Sequence, residues 1–324
     1  MNPMEKKLIS FVVPVYNEEE NVEALAARVA ATMAALPAYD FEIVFTDNHS
    51  TDGTFAILRR LAAADPRVRA VRFSRNFGYQ RSILTGYLRA RGAAAIQLDC
   101  DLQDPPELIP RFLELWEGGH QVVYGVRRSR REAWWINAAR SAFYRLIDSL
   151  SEDELPHDAG DFRLVDRRVI EELAKIEDSN PYLRGTLATL GFNQVGVPYD
   201  RGERARGISK FSLKDLVGLA IDGILNHSIV PLRVATYTGL LISLATFLAL
   251  AWTAIGKIIF GQRWPAGFAT ITTLILLSLS LNAIFFGIIG EYLGRIYNQV
   301  KRKPLTIIEA ELGAVSGDKD SRRI

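Results

Sequence analysis

Hydrophobic and polar positions follow two regimes that meet near Arg233. Before it, short apolar runs alternate with amphipathic stretches. Leu8–Val13, Phe41–Phe45, Val68–Phe73, Ala94–Leu98 and Gln121–Tyr124 are brief and apolar, which predicts strands. Between them Val22–Leu36, Thr54–Ala64, Gln80–Arg91 and Leu108–Glu117 space their apolar residues as helices do, with Gly92, Gly118 and Gly119 as stop signals. This alternation predicts an α/β fold, an open and mostly parallel sheet with helices on both faces. Such sheets bind ligands beyond the carboxyl ends of their strands. Acidic residues gather there: the first strand runs into Tyr16, Asn17 and Glu18, the second into Asp47, the fourth into Asp99 and Asp101.

After Arg233, Val234–Gly256 and Trp264–Gly290 contain no charged residue. Each exceeds the roughly 20 residues with which a helix crosses a bilayer, which predicts two transmembrane helices. Lys257–Arg263 allows only a tight turn, so both flanks face one compartment. The flanks carry Arg233, Arg295, Lys301, Arg302 and Lys303, and the positive-inside rule then places the α/β domain and both termini in the cytoplasm, with the chain multi-pass in the inner (plasma) membrane. Ser212–His227, with Leu213, Leu216, Val217, Ala220, Ile221, Ile224 and Leu225 at helical spacing, reads as a helix in the membrane interface or as an ordinary surface helix. The expected division is an α/β domain over 1–205, interfacial amphipathic helices over 206–232, two transmembrane helices over 233–291 and a cytoplasmic tail over 292–324, frayed from Gly313. Gly239, Ser278, Ser280 and Gly287 suit helix packing, either within one hairpin or between protomers of a homo-oligomer.

Composition narrows the function. Basic and acidic residues nearly balance, 39 against 37, which disfavours a nucleic-acid partner. Cys100 is the sole cysteine, so there is neither an internal disulfide nor a cysteine-based zinc site, and a reducing compartment fits. Lys6 and Lys7 precede the apolar run Leu8–Val13, but Pro14 and Glu18–Glu20 end it too early for a secretory signal. No Gly-x-Gly-x-x-Gly follows the first strand, which disfavours a nicotinamide dehydrogenase.

Asp99-Cys100-Asp101 sets two carboxylates one residue apart at a strand end, where both can approach a hard divalent cation whose shell a diphosphate completes. Taken alone, an Asp-x-Asp is more often a solvated turn. Asp47 precedes Ser50, Thr51, Asp52 and Gly53, a turn and helix cap, and a carboxylate there suits a uracil or guanine N–H; Asp52 itself reads as a turn-shaping residue.

Pro14-Val15-Tyr16-Asn17-Glu18, Asp47 with Ser50-Thr51-Asp52-Gly53-Thr54, and Asp99-Cys100-Asp101 follow in the order and spacing of the family 2 glycosyltransferase motifs. From Leu8 to about Lys210 the chain resembles that family and its GT-A fold. Asp101-Leu102-Gln103-Asp104-Pro105-Pro106-Glu107, Gly160-Asp161-Phe162-Arg163-Leu164, Arg204-Ala205-Arg206-Gly207-Ile208-Ser209-Lys210 and the two spans look like the polyprenyl-phosphate glycosyltransferases, the subgroup of dolichyl-phosphate mannose synthase and the bacterial polyprenyl-phosphate glucosyltransferases. One departure is Asp47-Asn48-His49-Ser50, where the family commonly has Asp-Asp-Gly-Ser. The first carboxylate is kept, and His49 reads as a catalytic base or as a packing and hydrogen-bonding residue of the turn.

The resemblance implies inverting transfer of a hexose from a nucleotide-sugar to polyprenyl (undecaprenyl) phosphate. UDP-glucose is the first choice of donor; GDP-mannose and a UDP-aminoarabinose-type donor stay open. It implies donor contacts from Pro14, Tyr16, Asn17, Glu18, Asp47, Asp99, Gln103, Arg204, Ser209 and Lys210, with Mg2+ or Mn2+ at Asp99 and Asp101. Catalytic roles fall to Asp101, to Arg127 and Arg140 as ligands of the acceptor phosphate, and to Asp161, which orients the sugar or acceptor loop or acts as a base. Arg128, Arg130 and Arg131 suit a basic face near anionic lipid headgroups or plain solvation, and Trp134 and Trp135 suit the membrane interface or a core role. A processive polysaccharide synthase is disfavoured by the two spans and by Gln262-Arg263-Trp264, whose spacing and side of the membrane differ from the Gln-x-x-Arg-Trp motif. A catalytically silent scaffold has no need of Asp47, Asp99, Asp101, Arg127, Arg204 and Lys210 together.

Overall fold

The computed structural model describes residues 6–127, 159–178, 181–200, 267–301 and 303–313, with scattered helical positions between 237 and 248. The chain divides into two units, residues 1–144 with 153–213 and 302–324, and residues 145–152 with 214–301.

In the first unit an eight-stranded sheet has the order β7-β5-β6-β4-β1-β2-β3-β8. Its strands are β1 (Lys7–Val15), β2 (Tyr39–Asp47), β3 (Val68–Phe73), β4 (Ala94–Gln97), β5 (Val122–Arg127), β6 (Ala159–Asp166), β7 (Gln194–Tyr199) and β8 (Ile308–Leu312). Helices α1 (Val22–Ala34), α2 (Thr54–Ala64), α3 (Tyr79–Arg89), α4 (Ile109–Glu117, preceded by a 3-10 turn at Pro106–Leu108), α5 (Arg167–Leu173) and α6 (Leu183–Thr189) cover it.

Side chains alternate across a strand, and β1 shows the result. Ile9, Phe11, Val13 and Val15 join Leu25, Val29 and Met33 of α1, Leu58 of α2 and Phe112 of α4 in one core. Val12 joins Ile83, Leu84 and Tyr87 of α3, with Val169 of α5 and Leu187 of α6, in the other. A fully buried central sheet requires apolar residues on both faces, hence the near-continuous run ISFVVPV. Gly86 sets how closely α3 approaches: a Cβ there would lie 2.3 Å from Val12 Cγ1.

Each of the five predicted strands and four predicted helices overlaps an observed element. The sheet is mostly parallel, as expected, and is mixed only through β6 and β8. β1–β2, β1–β4, β2–β3 and β5–β7 are parallel, whereas β3–β8, β4–β6 and β5–β6 are antiparallel. β6, β7 and β8 were not among the predicted strands, and two of them make every antiparallel pair. β6 carries Asp161, Arg163 and Asp166, all buried, so the usual sign of an interior strand, an unbroken apolar run, is missing. Within the segment 292–324, helix continues to Val300, and Ile308–Leu312 is an edge strand of the sheet.

In the second unit α7 (Phe268–Val300) is 33 residues long and exposes Ile271, Leu274, Ile275, Leu277, Leu279 and Phe286. Its Asn282 satisfies the side-chain amide internally, donating to Ser278 O at 2.8 Å. Among the described residues, no helix is long and apolar enough to cross a membrane. The expected interfacial helix Ser212–His227 lies outside the described residues.

Candidate functional site

The loops after β1 and β2 hold each other by polar contacts. Asn17 N–H donates to Ser50 Oγ at 3.0 Å, and Glu18 N–H to Thr54 Oγ1 at 2.9 Å. In return Thr51 N–H donates to Asn17 Oδ1 at 2.8 Å, and Gly53 N–H to Glu19 Oε2 at 2.6 Å. Asp52 caps its own turn through Thr54 N–H, 3.0 Å, as expected of a turn-shaping residue. Glu18 accepts from Asn21 Nδ2 at 2.7 Å, so it braces the start of α1. Pro14 belongs to β1, paired with Thr46, and Tyr16 is 39% exposed beside it.

Asp47, at the carboxyl end of β2, is fully buried. Its Oδ1 accepts from Ser50 N–H at 2.9 Å and its Oδ2 from Arg72 Nη1 at 3.3 Å. Arg72 extends from β3, donates also to Ser50 O at 3.2 Å, and stacks 4.6 Å from the centre of the Phe55 ring. His49 Nδ1 lies 2.9 Å from Phe73 O, so of the two expected roles the hydrogen-bonding one is supported.

The end of β4 is built differently. Asp99 accepts from the Tyr79 hydroxyl and from Gln97 Nε2 at 3.2 Å; Asp101 accepts Gln103 N–H at 3.1 Å; Asp104 accepts from Tyr199 Oη at 2.5 Å. Burial pushes the Asp99 carboxyl up to about 7, and the charges of Asp104, Asp161 and Asp101 push the same way. Cys100 sits between the two aspartates and packs into the α1-side core as a free thiol. Among the described residues, no three His, Cys, Asp or Glu side chains are grouped to hold a metal ion. Asp99 and Asp101 are nonetheless hard oxygen donors in surplus negative charge, which fits a hard divalent cation completed by diphosphate oxygens and water.

Asp161, on β6, is held in a two-pronged ion pair by Arg184 of α6, with Nε to Oδ1 at 2.7 Å and Nη2 to Oδ2 at 2.5 Å. A carboxylate so occupied suits positioning better than proton abstraction. Arg127 is the last residue of β5; Arg140, Arg204, Ser209 and Lys210 lie outside the described residues. Sequence reasoning missed Arg72, Tyr79, Gln97 and Arg184 because none stands in a motif. It also missed that the three described non-glycine residues with left-handed backbone, Asn17 (φ 56), His49 (φ 62) and Leu102 (φ 60), all follow the strand ends β1, β2 and β4. Strain of this kind concentrates at ligand sites.

The sequence profile described as "Glycosyl transferase family 2" matches residues 10–174. The chain belongs to that family. This family 2 glycosyltransferase is 39% identical to a Bacillus subtilis (strain 168) protein described as "Uncharacterized glycosyltransferase YkcC", with 94% of each chain covered. It is 38% identical to the "SfII prophage-derived bactoprenol glucosyl transferase" of Shigella flexneri, covering 93% of this chain and 97% of that one. Among solved structures, the mannosyltransferase PcManGT of Pyrobaculum calidifontis, in complex with GDP-Man and Mn2+, superimposes with a TM-score of 0.48 at 17% identity, covering 93% and 88%.

Proposed function

We propose that this glycosyltransferase transfers a hexose, glucose from UDP-glucose as first choice, to the phosphate of a polyprenyl lipid such as undecaprenyl phosphate, with inversion at the anomeric carbon. The carrying observation is the 38% identity to the Shigella flexneri bactoprenol glucosyl transferase over 93% of this chain, a likeness long enough to run through the charge-free segments as well as the sheet.

In this reading the nucleotide lies over the ends of β1 and β2. Asp47 accepts an N–H of the base, Tyr16 offers an exposed ring, and Asn17 and Glu18 frame the ribose. Mg2+ or Mn2+ at Asp99 and Asp101 would offset the charge that builds on the departing diphosphate. Arg204 and Lys210, with Ser209 and Gln103, serve the same diphosphate. Arg127 and Arg140 hold the acceptor phosphate in line behind the sugar. A phosphate oxygen forms the new bond to the anomeric carbon as the carbon–oxygen bond to the diphosphate breaks, and the nucleoside diphosphate leaves with the electron pair. That oxygen is already anionic, so no side chain has to remove a proton, in keeping with Asp161 paired to Arg184 as an orienting group.

The acceptor is a membrane lipid, and we place the sheet and both termini on the cytoplasmic side of the inner membrane. Two charge-free runs flanked by Arg233, Arg295, Lys301, Arg302 and Lys303 support this, as does the exposed apolar surface of α7.

The test is transfer of radiolabel from UDP-glucose, GDP-mannose and other nucleotide-sugars to undecaprenyl phosphate in detergent, with Mg2+ or Mn2+, for the intact protein and Asp101→Ala. Metal-dependent labelling from UDP-glucose that Asp101→Ala abolishes is expected. Labelling from GDP-mannose instead replaces the sugar, and unlabelled lipid with every donor overturns the acceptor.

A further inference from the structure

β8 lies beyond the long apolar segment in sequence, yet it forms the edge of the sheet beside β3. Their pairing is irregular: the register steps from Arg72 opposite Ala310 to Phe73 opposite Ile308, leaving Glu309 as the extra residue of a bulge. Bulges re-aim side chains and are frequent near functional sites. Here the bulged carboxylate reaches across β3, with Glu309 Oε2 accepting from Arg72 Nε at 3.2 Å and lying 3.2 Å from His49 Nδ1.

Arg72 thus serves three acceptors at once, Glu309 through Nε, Asp47 through Nη1 and Ser50 O through Nη2. The side chains pass inward by exposure, 48% for Glu309, 18% for Arg72 and 0% for Asp47. A guanidinium is a rigid planar fork, so fixing Nε fixes where the other two nitrogens point. Sharing it between two carboxylates also leaves Asp47 more negative than a private ion pair would, and so a better acceptor for a base N–H.

We infer that Glu309 is a positioning residue for the donor nucleotide, acting through Arg72 on Asp47, so that the bulged C-terminal strand completes the nucleotide site. This rests on the reading of Asp47 as the base-binding carboxylate. A control lies on the same strand: Glu311 pairs with Arg89 of α3 at 2.8 Å, docking β8 without touching Arg72.

Intact protein in detergent is titrated calorimetrically with UDP and with GDP in the presence of Mg2+, as wild type, Glu309→Gln, Glu309→Asp, Glu311→Gln, Arg72→Ala and the Arg72→Ala, Glu309→Gln double variant. Because the Glu309 pair is half exposed, Glu309→Gln weakens the preferred nucleotide about fivefold. Glu309→Asp falls between it and wild type. Glu311→Gln stays within about twofold of wild type. Adding Glu309→Gln to Arg72→Ala weakens binding no further. In turnover, Glu309→Gln raises KM for the nucleotide-sugar and leaves kcat unchanged. Wild-type affinity in Glu309→Gln overturns the inference and leaves the donor site standing. Equal losses in Glu309→Gln and Glu311→Gln overturn it in favour of strand docking. A wild-type protein that binds neither UDP nor GDP removes the donor site itself and the inference with it.

Discussion

Asp47 and Asp99 stand at the ends of β2 and β4, the two strands flanking β1, and they are equipped in opposite ways. Asp47 is fully buried and carries its own counter-charge in Arg72, with a backbone N–H on the other oxygen. Asp99 has two neutral donors, Tyr79 and Gln97, and feels the like charges of Asp104, Asp161 and Asp101. A buried carboxylate with a built-in cation is balanced in charge before any ligand arrives. One crowded by its own kind is complete only when positive charge is brought to it. Under the function proposed above, the β2 end is the recognition side and the β4 end the chemical side, whose surplus negative charge calls for a cation.

The sharpest way to break this contrast is to delete carboxylates from the β4 side. Asp101→Ala is expected to lower turnover on the order of a thousandfold, as loss of charge stabilisation at a reacting centre does, while UDP affinity measured without metal barely changes. A large loss of metal-free affinity would show that the two ends do not divide the work. Arg72→Ala comes next and should act on binding: nucleotide affinity falls about thirtyfold, as for hydrogen bonds to a charged group, with kcat little altered. Denaturant unfolding of the same variant should show a loss of about 3 kcal/mol, because Asp47 is left buried and unpaired. Unchanged stability there would mean that water reaches Asp47. Arg184→Ala releases Asp161 into the acidic cluster and is expected to cost about tenfold in kcat with KM for the nucleotide-sugar unchanged. A shift in KM alone would move Asp161 to the donor side. The smallest change is Tyr79→Phe, which removes one hydrogen bond to Asp99, worth about 1 kcal/mol, and should show as an approximately fivefold weaker response to Mn2+ in activity titrations.

The recognition side was the more legible in sequence. Pro14 to Glu18 and Asp47 to Thr54 are contiguous stretches at strand ends, and their loops close on one another by backbone and short side-chain contacts, so sequence neighbours are also neighbours in space. The chemical side draws on Tyr79, Asp99, Asp104, Asp161, Arg184 and Tyr199, which come from five separate elements or loops, and no periodicity links them. The unforeseen strands divide in the same way. β6 hides because its buried positions are charged, with Arg163 donating to Gly160 O at 2.9 Å and Asp161 paired to Arg184. β8 was readable: Ile308-Glu309-Ala310-Glu311-Leu312 alternates with period two. Its place after a long apolar segment made it look like a tail, and the basic residues awaiting its two glutamates, Arg72 and Arg89, lie more than two hundred positions earlier.

Cys100 has a practical side. Burial raises its thiol well above the ordinary value, with Glu18, Asp101 and Asp99 adding to the effect. Alkylating reagents attack thiolates, so this cysteine is close to inert in the folded protein. A single cysteine engineered onto an exposed surface could therefore be coupled to a fluorophore or spin label in the native protein without first replacing Cys100. Slow modification of the unaltered chain would then count unfolding events, because only an opened β4 loop exposes the sulfur.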